Sequence, residues 1–317
     1  MKTTVLQSWL FLLVLLLSAC KAPDPDRVWL FSYFTGNGES GLHLALSEDG
    51  YHFSNINGAQ SIIQPVLSAD SLMRDPCIIE GHDGRFYMVW TVSWTDKGIG
   101  LAWSDDLIHW SEQKYLPVMA HEPNARNCWA PEIFYDDATA QYVIFWSTTI
   151  AGLYPETEAT ADLGWDHRIY YTVTTDFEHY SIAKPFYNQG FNVIDGSMVK
   201  SEGIYYLFIK DETRYPPQKN IKVATSSSAL GPFASPSQPI TGDYWAEGPT
   251  VTLVNGEWVV YFDKYIDKKM GAVASSDRVH WRDISDLVSF PAETRHGTVL
   301  AVDRLLADKL KLHFGAH

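Results

Sequence analysis

LAWSDDLIHW, residues 101–110, places a hydroxyl at Ser104 and an aromatic ring at Trp110, six positions on. The pattern recurs as LALSEDGYHF (44–53), YTVTTDFEHY (171–180), VATSSSALGPF (223–233) and AVASSDRVHW (272–281). The markers Ser47, Ser104, Thr174, Ser226 and Ser275 lie 57, 70, 52 and 49 residues apart by subtraction, and the fourth copy ends one residue late, at Phe233. A strand-built unit of roughly fifty residues is the mark of propeller blades. A two-sheet sandwich also has many short strands, but it does not demand a periodic hydroxyl-to-aromatic spacing.

Each copy follows a strand rich in aromatic and β-branched residues: WLFSYF (29–34), FYMVWTV (86–92), YVIFWST (142–148), YYLFIKD (205–211) and WVVYFDK (258–264). Before these strands the chain can be aligned at Asp75-Pro-Cys-Ile-Ile, Ala130-Pro-Glu-Ile-Phe, Asp195-Gly-Ser-Met-Val, Glu247-Gly-Pro-Thr-Val and His296-Gly-Thr-Val-Leu. We read these as the innermost strands, one per blade. The first repeat lacks such a stretch, and HGTVLAV at the C-terminal end lacks the strands that should follow it. The expected fold is therefore all-β, a five-bladed β-propeller over residues 28–317, closed by pairing of its N- and C-terminal segments within one blade.

With 317 residues, 46% of them hydrophobic, the chain can bury a large core, and its composition excludes disorder. The formal net charge of −14 argues against nucleic acid and against an anionic lipid surface, and leaves a neutral, polar ligand as the natural partner. MKTTVLQSWLFLLVLLLSAC, residues 1–20, reads as an export signal whose apolar run is too short for a membrane span. Leu17-Ser-Ala-Cys20 resembles the lipobox of bacterial lipoproteins. We expect a signal peptide at 1–19, a lipid on Cys20, a tether at 20–27, and attachment to a bacterial membrane, the outer membrane of the cell envelope first. Cys77 and Cys128 read as small buried hydrophobes rather than a disulfide, and neither has the spacing of a zinc site.

Inner strands of a propeller run the same way along the channel, so Asp75, Asp195, Glu247 and His296 should converge at one end. Carboxylates gathered in a partly dry pocket push one pKa up and leave another group ionised. That division of labour suits glycoside hydrolysis, which needs an acid for the leaving oxygen and a base for water. Calcium binding is the bland alternative, but a dedicated calcium cage usually draws its ligands from one loop.

RDPCII, WAPEIFYD, FNVIDGSMV, WAEGPTV and RHGTV, in that order, resemble the inner-strand motifs of glycoside hydrolase family 43, over residues 27 to 303. The resemblance implies an inverting five-bladed propeller enzyme. It implies Asp75 as general base, Asp195 as the residue that orients substrate and raises the acid's pKa, and Glu247 as general acid. It also implies His296 at a central calcium or water cluster, with no cofactor required for the reaction. Arg295 either hydrogen-bonds sugar hydroxyls or bridges the carboxylates. Glu132, two residues beyond its blade's aligned position, reads as structural. Propeller relatives that act on fructosides hold a nucleophilic aspartate in a WMNDPNG-like stretch that this sequence lacks, which favours inversion.

Trp94, Trp129, Trp165 and Trp245 fall in or beside segments that should border the channel mouth, where rings can stack on sugars. The insertion AGLYPETEATADLGWDH, 151–167, accounts for the 70-residue spacing and should narrow the pocket toward release of single terminal sugars. The expected activity is an exo-acting glycosidase, working as a monomer, with α-L-arabinofuranosyl linkages first and β-xylosyl or β-galactofuranosyl next. The competing class is a non-catalytic carbohydrate-binding propeller, which predicts erosion of one or more of the three carboxylates.

Overall fold

The computed structural model describes residues 26–315, so Cys20 and the leader before it lie outside the described residues. Five sheets stand around one axis. Blade 1 holds Arg27–Tyr33, His43–Ser47 and Ser54–Asn55 together with Gly297–Asp303 from the other end of the chain. Blade 2 holds Arg74–Glu80, Phe86–Thr91, Ile99–Ser104 and Lys114–Leu116; blade 3 holds Trp129–Asp136, Gln141–Thr149, His167–Thr174 and Lys184–Tyr187. Blade 4 has Val193–Ser201, Ile204–Asp211 and Asn220–Ser226; blade 5 has Glu247–Val254, Glu257–Lys264, Lys269–Ser275 and Arg282–Asp283. Strand pairing within each blade is antiparallel, and the closure in blade 1 runs register by register from Arg27↔Asp303 to Tyr33↔Gly297. No sheet edge is left at the seam.

The recurring hydroxyl and aromatic have separate physical jobs. The hydroxyl accepts the backbone N–H three residues on, at 2.9 Å for Ser47, 2.8 Å for Ser104, 2.9 Å for Thr174 and 2.8 Å for Ser275. An aspartate two residues after the hydroxyl then accepts two further backbone N–H groups and bonds a histidine Nδ1, as Asp106 does with His109 at 2.8 Å. Asp49, Asp176 and Asp277 repeat this with His52, His179 and His280. The aromatic wedges into the apolar layer shared with the preceding blade: Trp110 between blades 1 and 2, Tyr180 between 2 and 3, Phe233 between 3 and 4, Trp281 between 4 and 5, Phe53 between 5 and 1. One aromatic per blade is thus a packing requirement, which is why its spacing is periodic.

The fourth copy departs because its blade departs. Ser226-Ser-Ser-Ala carries neither the aspartate nor the histidine, and the blade has three strands. Its outer edge is covered by irregular chain, with Ala234, Ser237 and Ile240 donating N–H groups to Thr225, Val223 and Ile221 carbonyls at 2.8, 2.8 and 2.9 Å. Within the domain expected over 28–317, the chain continues past the sheets. The last strand ends at Asp303, and Arg304–Phe314 is a helix that lays Ala307 and Leu310 into the apolar layer between blades 1 and 2. HGTVLAV exhausts the fifth inner strand, so the chain after it has no sheet to join.

Cys77 and Cys128 are both buried and unbridged. No helix among the described residues is long and apolar enough to cross a membrane. The 151–166 insertion contains a short helix, Pro155–Glu158, tied down by the buried Arg168, whose guanidinium bonds Asp166 Oδ1 at 2.8 Å and Thr157 Oγ1 at 2.7 Å. Thr160 of the insertion accepts the N–H of Arg214 at 2.8 Å, so this loop leans onto blade 4.

Candidate active site

Four inner strands carry a bulge at the same place, between Arg74 and Cys77, Trp129 and Glu132, Ile194 and Ser197, and Glu247 and Thr250. The first bulged residue is left-handed in each: Asp75 at φ +53°, Ala130 at +45°, Asp195 at +54° and Gly248 at +60°. A bulge of this kind re-aims side chains at a strand end. It also sorts the inner strands into layers. At the mouth lie Arg74, Trp129, Ile194, Glu247 and Arg295; one step down lie Asp75, Ala130, Asp195, Gly248 and His296; deeper still lie Cys77, Glu132, Ser197, Thr250 and Thr298.

This register corrects the alignment drawn from sequence. Gly248, not Glu247, occupies the position of Asp75 and Asp195, so Glu247 stands one layer nearer the mouth. The WAEGPTV stretch aligns on its glycine because the left-handed residue is what the bulge fixes. Gly248 is also packed against His296: a Cβ there would meet the imidazole Cγ at 2.3 Å. Ala130 shows that the backbone angle alone is tolerable, so the contact decides. Gly248→Ala is expected to lower stability by about 1–3 kcal/mol and to displace His296 from Asp75. Thermal unfolding together with kcat/KM checks this, and a variant with wild-type Tm and activity would show that the ring yields freely.

The four residues singled out from sequence do converge. Asp75, buried, accepts the Thr91 hydroxyl at 2.8 Å and lies 3.3 Å from His296 Nδ1. Burial alone would raise its carboxyl, but the imidazole, Arg74 and Thr91 outweigh it and hold the group at about 2. His296 answers in the other direction. Desolvation opposes its charge, yet Asp195, Asp75 and Glu247 carry it to about 9, so it is an imidazolium at neutral pH. Asp195 accepts the Gly248 N–H at 3.0 Å, and burial, reinforced by Glu247 and Asp75, pushes its carboxyl to about 6 against the pull of His296 and Lys210. Two carboxyls at the same depth therefore differ in proton affinity by their surroundings alone.

Glu247 is held at both oxygens. Lys210 Nζ bonds Oε2 at 2.9 Å, and Arg295 Nη2 bonds Oε1 at 3.1 Å. The pairing continues outward on each side. Arg295 Nε bonds Asp263 Oδ2 at 2.6 Å, Lys210 bonds Glu212 Oε2 at 2.6 Å, and Glu212 also pairs with Lys219. A chain of alternating charge, Asp263–Arg295–Glu247–Lys210–Glu212–Lys219, thus runs along the wall. Arg295 takes the bridging role of its two expected ones. Burial first, then Glu247, lifts Asp263 to about 6 despite Arg295.

Sequence reasoning missed Lys210, Asp263, Thr91 and Ser147, although a signal was present. They are the sixth residues of the strands 205–211, 258–264, 86–92 and 142–148, the place where each second strand faces its bulge. Thr91 serves Asp75, and Ser147 Oγ accepts the Asp195 N–H at 3.2 Å. Glu132 lies deeper, as expected, taking Cys77 Sγ at 3.3 Å and Thr298 Oγ1 at 3.4 Å, with burial raising its carboxyl to about 7.

The calcium implied by the resemblance would sit beside His296. That ion takes six to eight oxygen ligands. Among the described residues no three His, Cys, Asp or Glu side chains are placed to hold a metal ion, and His296 Nδ1 faces Asp75.

The aromatics form an arc at the rim. Trp129 meets Trp94 edge-on at 5.4 Å between centroids and Trp165 at 4.8 Å, and donates Nε1–H to the Trp94 carbonyl at 3.0 Å. Trp245 stands apart, near Tyr265 at 6.0 Å.

Comparison with known proteins agrees with this architecture. Residues 24–308 match a family described as "probable glycosyl hydrolase domain", a relative of glycoside hydrolase family 43. An α-L-arabinofuranosidase of Bifidobacterium longum is 24% identical over an alignment covering 60% of this chain, which spans only 20% of that protein's length. Among solved structures, a thermostable family-43 glycoside hydrolase superposes with a TM-score of 0.53 at 16% identity, covering 72% of this chain and 82% of that one. A family-43 enzyme from Xanthomonas citri, bound to xylotriose, gives 0.53 at 14% identity, covering 69% and 75%. Matched along nearly its whole folded length, the chain belongs to this family of glycosyl hydrolase domains related to family 43, and has the five-bladed fold of the solved family-43 structures.

Proposed function

We propose that the protein is an inverting, exo-acting glycosidase that removes a terminal sugar, α-L-arabinofuranosyl first, β-xylosyl or β-galactofuranosyl next. The observation that carries it is the meeting of Asp75, Asp195 and Glu247 at one mouth, with one carboxyl held near 2 and another near 6. None of the three is eroded, as a purely binding propeller would permit. Asp75 activates water. Glu247, nearest the mouth, gives the proton to the leaving oxygen, trading one of its cation contacts for the substrate. Asp195 holds hydroxyls and keeps a proton in the site, its own carboxyl being pushed up to about 6 by burial. The names of similar proteins, an arabinofuranosidase and a xylotriose-bound enzyme among them, support the range of sugars. The rim formed by Trp129, Trp165 and the 151–166 insertion supports a short, terminal cut.

Aryl arabinofuranoside, xyloside and galactofuranoside assayed side by side test the substrate. Proton NMR of the first-formed product tests inversion, which places the carboxyls about 6.5–9.5 Å apart and reverses the anomeric configuration. The pH profile follows from the same groups. Asp75 stays ionised down to about 2, so the base is ready throughout, whereas the proton shared around Asp195 leaves as pH rises through about 6. kcat/KM should therefore fall above that value. Stability runs the same way: an upward-shifted Asp195 favours the fold most below its ordinary value of 3.8, and that contribution is lost by about 6. A flat profile from 5 to 8 would remove Asp195 from the proton's path.

We also propose export and lipidation at Cys20. Incorporation of a palmitate label, abolished by Cys20→Ala, checks it.

A further inference from the structure

We propose that the glycan taken at this mouth is acidic, with uronate carboxylates meeting the guanidinium groups of Arg74, Arg126 and Arg214. This rests on the glycosidase reading and narrows its substrate.

Acidic residues outnumber basic ones in this chain, 38 to 24, so an arginine has carboxylates in easy supply. Every other arginine uses one: seven of them are ion-paired, including Arg295 in the site. Among the described residues only Arg74, Arg126 and Arg214 have no carboxylate in ion-pair contact. All three are half-buried, and each lies on the face of a rim tryptophan: Arg74 over Trp94 at 4.4 Å, Arg126 over Trp165 at 3.9 Å and Arg214 over Trp245 at 5.0 Å. Stacking uses the flat face of a guanidinium and leaves its in-plane N–H groups free to meet an anion, while fixing the plane in advance. Arg74 is held further by Phe34 at 4.6 Å and by a bond from Nη1 to Asn37 Oδ1 at 3.0 Å.

The placement joins these cations to the chemistry. Arg74 directly precedes Asp75, Arg126 sits on the insertion side through Trp165 and Trp129, and Trp245 lies two residues before Glu247. Several nearby carboxylates are already engaged: Glu247, Glu212 and Asp263 by Lys210, Lys219 and Arg295, Asp70 by the Ser93 hydroxyl and the Trp94 N–H, and Glu39 by Asn37, while Glu158 and Asp166 share a cavity with Arg126 without an ion pair to it. Three preset cations around a mouth whose own acids are neutralised suit a chain with recurring negative charge. A carboxylate is the anion best matched, because its planar pair of oxygens accepts two parallel N–H bonds from one guanidinium.

The test is calorimetric binding to Asp75→Asn protein, which holds glycans without cutting them. The probes are galacturonate oligomers, glucuronate-bearing xylan oligomers, each of these after reduction of its carboxyls to neutral sugar, and a sulfated oligosaccharide. At least one uronate probe should bind tenfold or more tightly than its reduced form, with the advantage shrinking at high salt. Arg214→Gln and Arg126→Gln should each cut it several-fold. Arg214 is the cleaner variant, since Arg126 also bonds the Gly164 carbonyl at 2.9 Å. Equal binding of acidic and reduced forms overturns the proposal, as does tighter binding of the sulfated probe than of either uronate. Failure here leaves cleavage of neutral aryl glycosides untouched, whereas loss of the glycosidase reading would show as no turnover of any glycoside by the wild-type enzyme.

Discussion

Asp75→Asn is expected to lower turnover by about 10³–10⁴-fold on every substrate, activated or not, while sugar binding persists. Asparagine keeps the shape and can still accept the Thr91 hydroxyl, which donates at 2.8 Å. It cannot take a proton from water, and that step is needed whatever the leaving group. The substitution also leaves His296 without its anionic neighbour. That residue's pKa, raised to about 9, should then drop toward its ordinary range. Its contribution to stability is complete below 6.5 and lost as pH rises through about 9, so in the variant the loss should begin at lower pH. Kinetics on two substrate classes, calorimetry and a Tm series against pH separate the chemical effect from the structural one. Retained activity would take the base's role from Asp75.

Glu247→Gln is expected to divide substrates instead. The rate should fall by about 10²–10⁴-fold on natural linkages and far less on aryl glycosides, whose leaving groups need little help from a proton. Glutamine can still accept a bond from Lys210 or Arg295, but it leaves the buried Lys210 and the half-buried Arg295 one anion short. Some loss of stability is therefore expected alongside, and Tm measured on the same preparation controls for it. An equal fall on both kinds of substrate would remove Glu247 from the acid's role.

What could be read beforehand was whatever a periodic backbone enforces. The five aromatics from Phe53 to Trp281 each fill one layer between blades, so their spacing had to repeat, and the fold followed from it. The same holds for Asp75 and Asp195, which occupy one bulge position in two blades, and for His296, which precedes the inner strand of a third. Glu247 was found but misplaced by one residue, because a carboxylate was aligned with carboxylates when the backbone aligns on the left-handed Gly248. The ion chain stayed hidden for a different reason. Lys210 and Asp263 lie in second strands that read as core, and a buried charge is recognisable only when its partner's position is known. Likewise Trp94, Trp165 and Trp245 read as sugar platforms, yet one face of each is covered by an arginine brought from elsewhere in the chain, a contact that no local pattern announces.

With the lipid proposed on Cys20, the seam in blade 1 would set which way the domain faces. Gly297 begins its strand beside His296 at the mouth, and the strand ends at Asp303, opposite Arg27. Seven residues of extended chain span about 23 Å, so the start of the folded domain lies on the side of the ring remote from the carboxylates. A lipid on Cys20 would hold the protein by that rear side, with six residues between the acylated cysteine and Arg27. The open end of the channel would then look outward, away from the bilayer and toward arriving polysaccharide.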